Sequence, residues 1–204
     1  VYRDILPAWN DQNLKSLAHQ IRSGLFLAHV RASTGTATSR ANCHPFAHGK
    51  WLFMHNGQIG GYDRVRRRLE GMIDDRYYCH RVGTTDSELI FYILLSEGLD
   101  QDPMGALTRT IGKIEQLARA AAVNEPFKFT SVLSDGERVY AVRHASDDAP
   151  PTLFHRQRDD HFMVVSEPLD EEEDCQAWRE VPAGHVLVIE KRGRLDMAAF
   201  VPRI

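Results

Sequence analysis

The stretch KWLFMHNGQIGGYDR, residues Lys50–Arg64, contains the transition on which the fold depends. Its apolar run Trp51–Met54 predicts a buried strand, and its glycine pair leads into a predicted helix. Asn56-Gly57 stands between them and is the strongest short signal for a two-residue β-hairpin turn. A hairpin needs a second strand at once, but the following QIGGYD offers two apolar positions and two glycines. The hairpin interpretation is therefore the weaker one, and the alternative is a functional role for Asn56 and Gly57 at a strand end.

The composition describes a globular domain with no obvious macromolecular partner. The chain has 204 residues, of which 43% are hydrophobic, and this is enough for a sizeable core. Its net charge of −3 and its pI of about 6.4 provide no basic field for nucleic acid. No apolar run approaches the roughly 18–20 residues of a membrane span, so we expect no membrane association.

The cysteines and the N-terminus indicate the compartment and the extent of the chain. Cys43, Cys79 and Cys175 are few, odd in number and widely spaced. Such spacing disfavours a disulfide framework and favours a reducing compartment, so we expect a cytoplasmic protein. The first residues, VYRDILPAWN, show neither an initiator methionine nor a signal peptide. We expect that this sequence begins inside a longer chain.

Helical patterns followed by antiparallel strand patterns predict an α+β domain in which helices cover sheets. Asp11 is a candidate cap for a helix that runs to about Ser23, and Thr84 or Thr85 is one for a helix that starts at Asp86. The other predicted elements are a buried strand at Gly24–Val30, a long polar loop at Arg31–Gly49, helices at Tyr62–Ile73 and Pro103–Ala122, a hairpin at Phe127–Ala145 that turns at Asp135-Gly136, and strands at Thr152–Arg156, His161–Glu167, His185–Lys191 and Arg194–Val201.

Asn56 and Gly57 have the chemistry of an oxyanion hole. The Asn carboxamide and a backbone N–H beside an unhindered glycine are two neutral donors for a developing alkoxide. Each such donor can contribute about 3–4 kcal/mol to the stability of a transition state.

Arg31 and Asp86 each allow two interpretations. Arg31 follows the apolar segment LFLAHV and is either a rim arginine in water or a bidentate clamp on a carboxylate. The neighbouring Ser33, Thr34 and Gly35 could add hydroxyl and backbone donors. For Asp86 ordinary helix capping is the stronger explanation, and the residue gains a binding role only if a ligand ammonium lies nearby.

Other catalytic and metal-binding patterns are weak. Cys43, His44 and His48 lie close together, but Pro45 disfavours the helix that would align an H-x3-H zinc site. We therefore interpret these histidines as structural and expect no metal. The sequence also has no Gly-x-Ser-x-Gly elbow, no P-loop and no Gly-x-Gly-x-x-Gly motif.

Taken together, the motifs FLAHVRAST, NCHPF, WLFMHNGQI and GTTDSE, in this order, resemble the class II glutamine amidotransferase domain. This is the N-terminal-nucleophile type with a catalytic cysteine. The resemblance is to the small, stand-alone branch, which includes γ-glutamyl amidohydrolases of ergothioneine and glutathione metabolism. It implies an α+β fold, the four-layer αββα sandwich of N-terminal-nucleophile hydrolases, with two antiparallel sheets flanked by helices.

The resemblance also implies roles for the candidate residues. Arg31 would bind the α-carboxylate of glutamine and Asp86 its α-ammonium, while Asn56 and Gly57 would form the oxyanion hole. Thr34 and His55 would support the substrate pocket. No cofactor and no metal are implied.

The sequence departs from the family at the nucleophile. In the family this is a cysteine at the very N-terminus of the mature chain, and its own α-amine can act as general base. This sequence starts with Val1, and none of its three cysteines matches that position. We therefore expect residues 1–204 to be a single amidotransferase domain whose first strand and catalytic cysteine precede Val1.

The implied reaction is hydrolysis of the side-chain amide of glutamine or of a γ-glutamyl compound through a cysteinyl thioester. One alternative is a γ-glutamyl conjugate amidohydrolase. Another is a non-catalytic γ-glutamyl-binding subunit, if the protein truly begins at Val1. The expected partner is a small-molecule substrate, with a synthase or acceptor subunit as a further possibility.

Overall fold

The structure, a computed structural model, describes residues 1–30, 38–159, 161–170, 177–191 and 193–203. These residues form two antiparallel sheets and five α-helices, and two short 3-10 turns lie near the N-terminus. The helices are α1 (Gln12–Gln20), α2 (Tyr62–Glu70), α3 (Asp75–Tyr78), α4 (Asp86–Ser96) and α5 (Pro103–Ala120). The strands are β1 (Phe46–His48), β2 (Trp51–Gln58), β3 (Lys128–Ser134), β4 (Arg138–Ala145), β5 (Phe154–Arg158), β6 (His161–Val165), β7 (Arg179–Glu180), β8 (His185–Glu190) and β9 (Leu195–Ala199).

The larger sheet has the strand order β1-β2-β3-β4-β8-β9, and the smaller one has the order β6-β5-β7. Both are antiparallel throughout. The hairpin predicted at Asp135-Gly136 is confirmed, and Gly136 has the positive φ of 89° that such a turn requires. The predicted α+β class, with two antiparallel sheets and flanking helices, is confirmed.

The two faces of the larger sheet pack against different layers because side chains alternate along each strand. On β4, Tyr140 and Val142 belong to the core beneath the helices, whereas Ala141 belongs to a second core. That second core also contains Phe162 and Val164 of the smaller sheet. The larger sheet therefore lies between a helical layer and the smaller sheet.

α4 is the central helix of the helical layer. Its residues Leu89–Leu95 are buried without interruption, so this helix has no hydrophilic face in its middle turns. It contacts α5, α2 and strand β2. Because α4 is fixed on all sides, its first turn is a rigid platform next to the end of β2.

Side-chain caps are found at three helix starts, two of them predicted and one, at Asp102, not predicted. Asp11 accepts a hydrogen bond from the Leu14 N–H at 3.0 Å, and Asp102 accepts one from the Gly105 N–H at 2.9 Å. At α4, Thr85 rather than Thr84 is the cap, and its hydroxyl accepts from the Glu88 N–H at 3.1 Å. Each bond satisfies a donor that the helix itself leaves unpaired.

Two predictions for the N-terminal third were wrong. Residues 24–30 are not a buried strand: within the described chain they belong to neither sheet, and Phe26 and Val30 are each 83% exposed. An apolar segment becomes a strand only when a neighbouring strand pairs with its backbone groups. The predicted loop at 31–49 contains β1, which pairs with β2 through Phe46 and Phe53. None of the described helices is long and apolar enough to cross a membrane.

Candidate active site

Strand β2 carries the candidate site and extends further than its apolar run. It continues through Asn56, Gly57 and Gln58, which pair with Thr130, Phe129 and Lys128 of β3. Asn56-Gly57 is therefore part of a ladder and not a hairpin turn, so the weaker interpretation is excluded. The strand propensity of Trp51–Met54 and the pairing with β3 outweigh the tendency of Asn56-Gly57 to form a turn.

Neighbouring residues of β2 point to opposite faces of the larger sheet. His55 lies on the same face as Phe53, towards the helices, and is 3% exposed. Asn56 lies on the other face and is exposed. Its carboxamide is thus free to meet a ligand at the end of the sheet, as an oxyanion donor must be.

Gly57 cannot be replaced by any other residue without moving the backbone. Its φ of +144° lies in the region that favours glycine, and a Cβ built there would stand 2.1 Å from the carbonyl oxygen of Lys128. The absence of a side chain therefore lets β2 and β3 approach closely at Gly57.

His55 lies behind the site, where it joins β2 to α4. Its Nε2 lies 3.1 Å from the carbonyl oxygen of Lys128 and its Nδ1 lies 2.9 Å from the hydroxyl of Ser87. Because a carbonyl oxygen only accepts, we assign the proton to Nε2, and Nδ1 then accepts from Ser87. Burial lowers the pKa of His55, against the opposing effects of the Asp86 charge and of the bond to Lys128. The ring is accordingly neutral and joins β2 to the first turn of α4 and to the start of β3.

Asp86 is the first residue of α4, and both oxygens of its carboxylate are engaged. Oδ2 accepts from the backbone N–H of Ile59 at 2.8 Å, and Oδ1 accepts from the backbone N–H of the next residue, Ser87, at 2.8 Å. Ile59 follows Asn56 by three residues, so this bond brings the end of β2 to the start of α4. The structure therefore places Asp86 beside the segment that carries Asn56 and Gly57.

The predicted site residues are only partly covered by the structure. Asn56, Gly57, His55 and Asp86 lie around one junction between β2 and α4. Arg31 and Thr34 lie outside the described residues, and their proposed roles rest on the sequence resemblance.

Sequence reasoning missed the polar residues that hold this junction together. Ser87 is 5% exposed and bonds His55, while Glu88 is 2% exposed and accepts from the backbone of Val82 and Gly83. The motif Thr85-x-x-Glu88 is a capping-box pattern, so Glu88 could have been recognised from the sequence. Nothing in the sequence identifies Ser87 as a partner of a histidine from a distant strand.

The described cysteines do not resemble activated nucleophiles. The sulfur of Cys43 lies 3.4 Å from the carbonyl oxygen of Ser39 and 3.5 Å from that of Asp4. Carbonyl oxygens accept from a thiol and do not stabilise a thiolate. Cys79 is exposed in the segment that follows α3, and neither Cys43 nor Cys79 forms a disulfide. Cys175 lies outside the described residues.

His44 and His48, whose spacing resembles a zinc motif, lie in aromatic clusters. His44 is 7% exposed and packs on His29 and Phe46, with ring centroids 4.1 Å and 4.7 Å away. His48 packs edge-on against Tyr77 and His80. In the described part of the chain no three histidine, cysteine or acidic side chains are grouped so that they could hold a metal ion.

Comparison with known proteins assigns the family. The profile of "Glutamine amidotransferases class-II" matches residues 8–153, most of the chain. The chain belongs to the class II glutamine amidotransferases. A "Probable glutamine amidotransferase" of Saccharomyces cerevisiae is 32% identical to this amidotransferase chain, over 94% of the chain and 64% of the yeast protein. A "Gamma-glutamyl-hercynylcysteine sulfoxide hydrolase" of Mycolicibacterium smegmatis is 29% identical over 91% of the chain and 69% of that protein.

Solved structures agree with this assignment. A glutamine aminotransferase class-II domain protein from Silicibacter pomeroyi matches all of the amidotransferase chain and 86% of its own, with a TM-score of 0.88 and 42% identity. The glutamine phosphoribosylpyrophosphate amidotransferase of Bacillus subtilis has a TM-score of 0.57 at 16% identity, which indicates a shared fold only. The expected family and its fold class are confirmed, and the chain spans less than two thirds of the yeast relative.

Proposed function

We propose that this protein hydrolyses the side-chain amide of glutamine or of a γ-glutamyl compound. The observation that carries the proposal is the junction of β2 and α4, where the carboxylate of Asp86 accepts from the N–H of Ile59, three residues after exposed Asn56 and two after Gly57. Two neutral donors suit the oxyanion of an attacked amide, and the carboxylate suits the α-ammonium of a γ-glutamyl group. Arg31, with support from Thr34, would complete the head-group site by binding the α-carboxylate.

The proposed reaction has two steps. A cysteine thiolate attacks Cδ, the oxyanion forms against Asn56 and Gly57, and the C–N bond breaks as the leaving nitrogen takes up a proton. Water then cleaves the thioester, which releases glutamate and restores the thiol. The chain's own contribution is to bind the head group and to stabilise the oxyanion. An oxyanion hole is most effective when water is excluded, so the bound substrate must cover Asn56.

The nucleophile and the extent of the domain remain predictions. We propose that the nucleophile is a cysteine ahead of Val1 and that residues 1–204 belong to one domain with it. Intact mass and N-terminal sequencing of the natural protein provide the test. A mature chain that begins with cysteine supports the enzyme, and one that begins at Val1 favours a γ-glutamyl-binding subunit.

Some of the relatives act on substrates whose leaving group is larger than ammonia. The mycobacterial relatives are hydrolases of a γ-glutamyl conjugate, and their head group is the same as that of glutamine. The proposed site is directed at this shared head group, so we propose γ-glutamyl conjugates as a second substrate class. A synthase or acceptor subunit would be needed only if released ammonia is transferred. We also propose a cytoplasmic location, because the three cysteines are few, odd in number and widely spaced.

The decisive experiment is an assay of the full natural protein against glutamine and a panel of γ-glutamyl peptides and thio-conjugates. We expect glutamate and one equivalent of ammonia or amine from at least one of them. The ratio of kcat/KM values separates a glutaminase from a conjugate hydrolase. If no compound yields glutamate, the proposed activity is wrong.

A further inference from the structure

The segment before α4 is held by two buried polar side chains from different parts of the chain. Glu88 is 2% exposed, and its carboxylate accepts from the N–H of Val82 at 3.0 Å and from that of Gly83 at 2.7 Å. In an ordinary capping box this glutamate would reach back to the N–H of the cap, here Thr85. It instead reaches two residues further back and ties residues 82–83 to the first turn of α4.

Asn42 holds the next residue of the same segment. It is 2% exposed, its Oδ1 accepts from the Thr84 N–H at 2.9 Å, and its Nδ2 donates to the Thr84 hydroxyl at 3.3 Å. Three successive backbone donors, those of residues 82, 83 and 84, therefore end on buried side-chain oxygens. A backbone whose donors are all satisfied in this way has one well-defined path.

Gly83 allows both side chains to approach. A Cβ at this position would stand 2.6 Å from Asn42 Oδ1 and 2.8 Å from Glu88 Oε2. The charge of Glu88 is compensated by its two N–H partners and by Arg81, whose Nε lies 3.9 Å from Oε2 and whose side chain is 8% exposed. A buried carboxylate is costly unless it is hydrogen-bonded and paired, and Glu88 has partners of both kinds.

We propose that Glu88 is a positioning residue that places the carboxylate of Asp86 for the substrate α-ammonium. The inference rests on the proposed function, because it takes Asp86 as the ammonium ligand. Glu88 and Asn42 fix the path that enters α4, and the Ile59 N–H fixes Asp86 from the other side. The oxyanion donors are held separately, by the pairing of β2 with β3. A change at Glu88 should therefore weaken head-group binding and leave the chemical step almost intact.

The test is Glu88→Gln in the full natural protein, because glutamine keeps the size but turns an NH2 group towards one of the two N–H donors. We expect KM for glutamine to rise roughly tenfold while kcat stays within about threefold of wild type. KM for 4-carbamoylbutanoate, which is glutamine without its α-amino group, should not change. Glu115→Gln is the matched control, since Glu115 is a partly buried helical glutamate that bonds His144 instead, and it should change neither constant.

Amide hydrogen exchange supplies a readout that does not depend on activity. In Glu88→Gln, exchange at Val82 and Gly83 should accelerate by at least about tenfold, while exchange in the paired strands β2 and β3 stays as in wild type. If the variant raises KM for glutamine and for its des-amino analogue equally, or raises neither, the positioning role is wrong although the enzyme is active. If wild type neither cleaves any γ-glutamyl compound nor binds glutamate, the proposed function fails and this inference falls with it.

Discussion

A hydrogen bond of 2.9 Å joins Nδ1 of His55 to the hydroxyl of Ser87, and both residues are almost fully buried. His55 precedes the proposed oxyanion donors in β2, and Ser87 follows the proposed ammonium ligand in α4. The residues proposed to bind the two ends of a γ-glutamyl group are thus the sequence neighbours of His55 and of Ser87. The distance between these two recognition elements is set inside the core and not at the surface.

Asn56→Ala should lower kcat by about 10²–10³-fold with a much smaller effect on substrate binding, because the lost donor acts mainly on the transition state. Stability should hardly change, since Asn56 is exposed on the strand. Steady-state kinetics with the preferred γ-glutamyl substrate gives the measurement. Gln58→Ala, another exposed residue of β2, is the control and should retain activity. Wild-type kcat in Asn56→Ala would exclude the oxyanion role.

Asp86→Asn should raise KM for glutamine by roughly 10–100-fold with a smaller loss of kcat, because the amide keeps an acceptor for the Ile59 N–H but removes the charge that binds the ammonium. Inhibition by the product glutamate should weaken in parallel. Asp63→Asn removes a comparable, exposed charge from the first turn of α2 and serves as control. An Asp86→Asn enzyme with an unchanged KM would reduce Asp86 to a helix cap.

His55 should make the folded protein lose stability as the pH falls. Burial lowers the pKa of His55. Below about pH 6.5, the ordinary pKa of histidine, the unfolded chain therefore binds a proton at His55 that the folded chain does not bind. The loss continues as pH falls towards the lowered folded pKa, at up to about 1.4 kcal/mol per pH unit for one proton. The unfolding free energy, measured with urea between pH 7 and 5, should depend less steeply on pH in His55→Gln than in wild type, by the equivalent of one proton.

The same urea titration needs a histidine that is open to water as its control. His19 on α1 is exposed, and His19→Gln should leave the pH slope of the unfolding free energy as in wild type. Equal slopes for wild type and His55→Gln would show that His55 is not held neutral in the folded state.

Gly57→Ala should destabilise the protein by about 2–4 kcal/mol, because the new methyl group meets a backbone carbonyl 2.1 Å away and the φ of +144° is unfavourable for alanine. Gly136→Ala is a matched control: its φ of +89° is also positive, but nothing lies within 4 Å of its Cβ position. It should cost only about 1–2 kcal/mol. Thermal or urea unfolding of both variants separates the cost of the close contact from the cost of a positive φ. Equal losses of stability in the two variants would show that the contact with Lys128 contributes nothing.

The elements that could be predicted from the sequence are those whose signals are local. α4 and α5 have their caps and apolar residues within one stretch of chain, and the β3–β4 hairpin has its turn residues between its strands. β1 and the short β7 were not predicted, because strands of three and two residues are formed by their partners rather than by their own pattern. Residues 24–30 illustrate the converse, since an apolar pattern without a partner strand forms no strand.

The sequence predicts the chemistry of the candidate site, but not the contacts that hold it together. Asn56, Gly57 and Asp86 are predicted from residue types and from resemblance, and the structure brings the segment that follows Asn56 and Gly57 to Asp86. That Asp86 would bond Ile59, that His55 would turn inward to Ser87, and that Glu88 would reach back to Gly83 all depend on distances between segments that are remote in the chain. No local pattern encodes such distances.

The alternation of β2 has a consequence for how this protein can change over evolution. His55 faces the helices and Asn56 the opposite side because side chains alternate along β2, so that residues two positions apart share a face. Inserting or deleting one residue between Trp51 and Asn56 would send the imidazole outward and the carboxamide into the interior. The facing of both side chains therefore depends on the exact residue spacing inside this strand, whereas loops at the surface carry no such constraint.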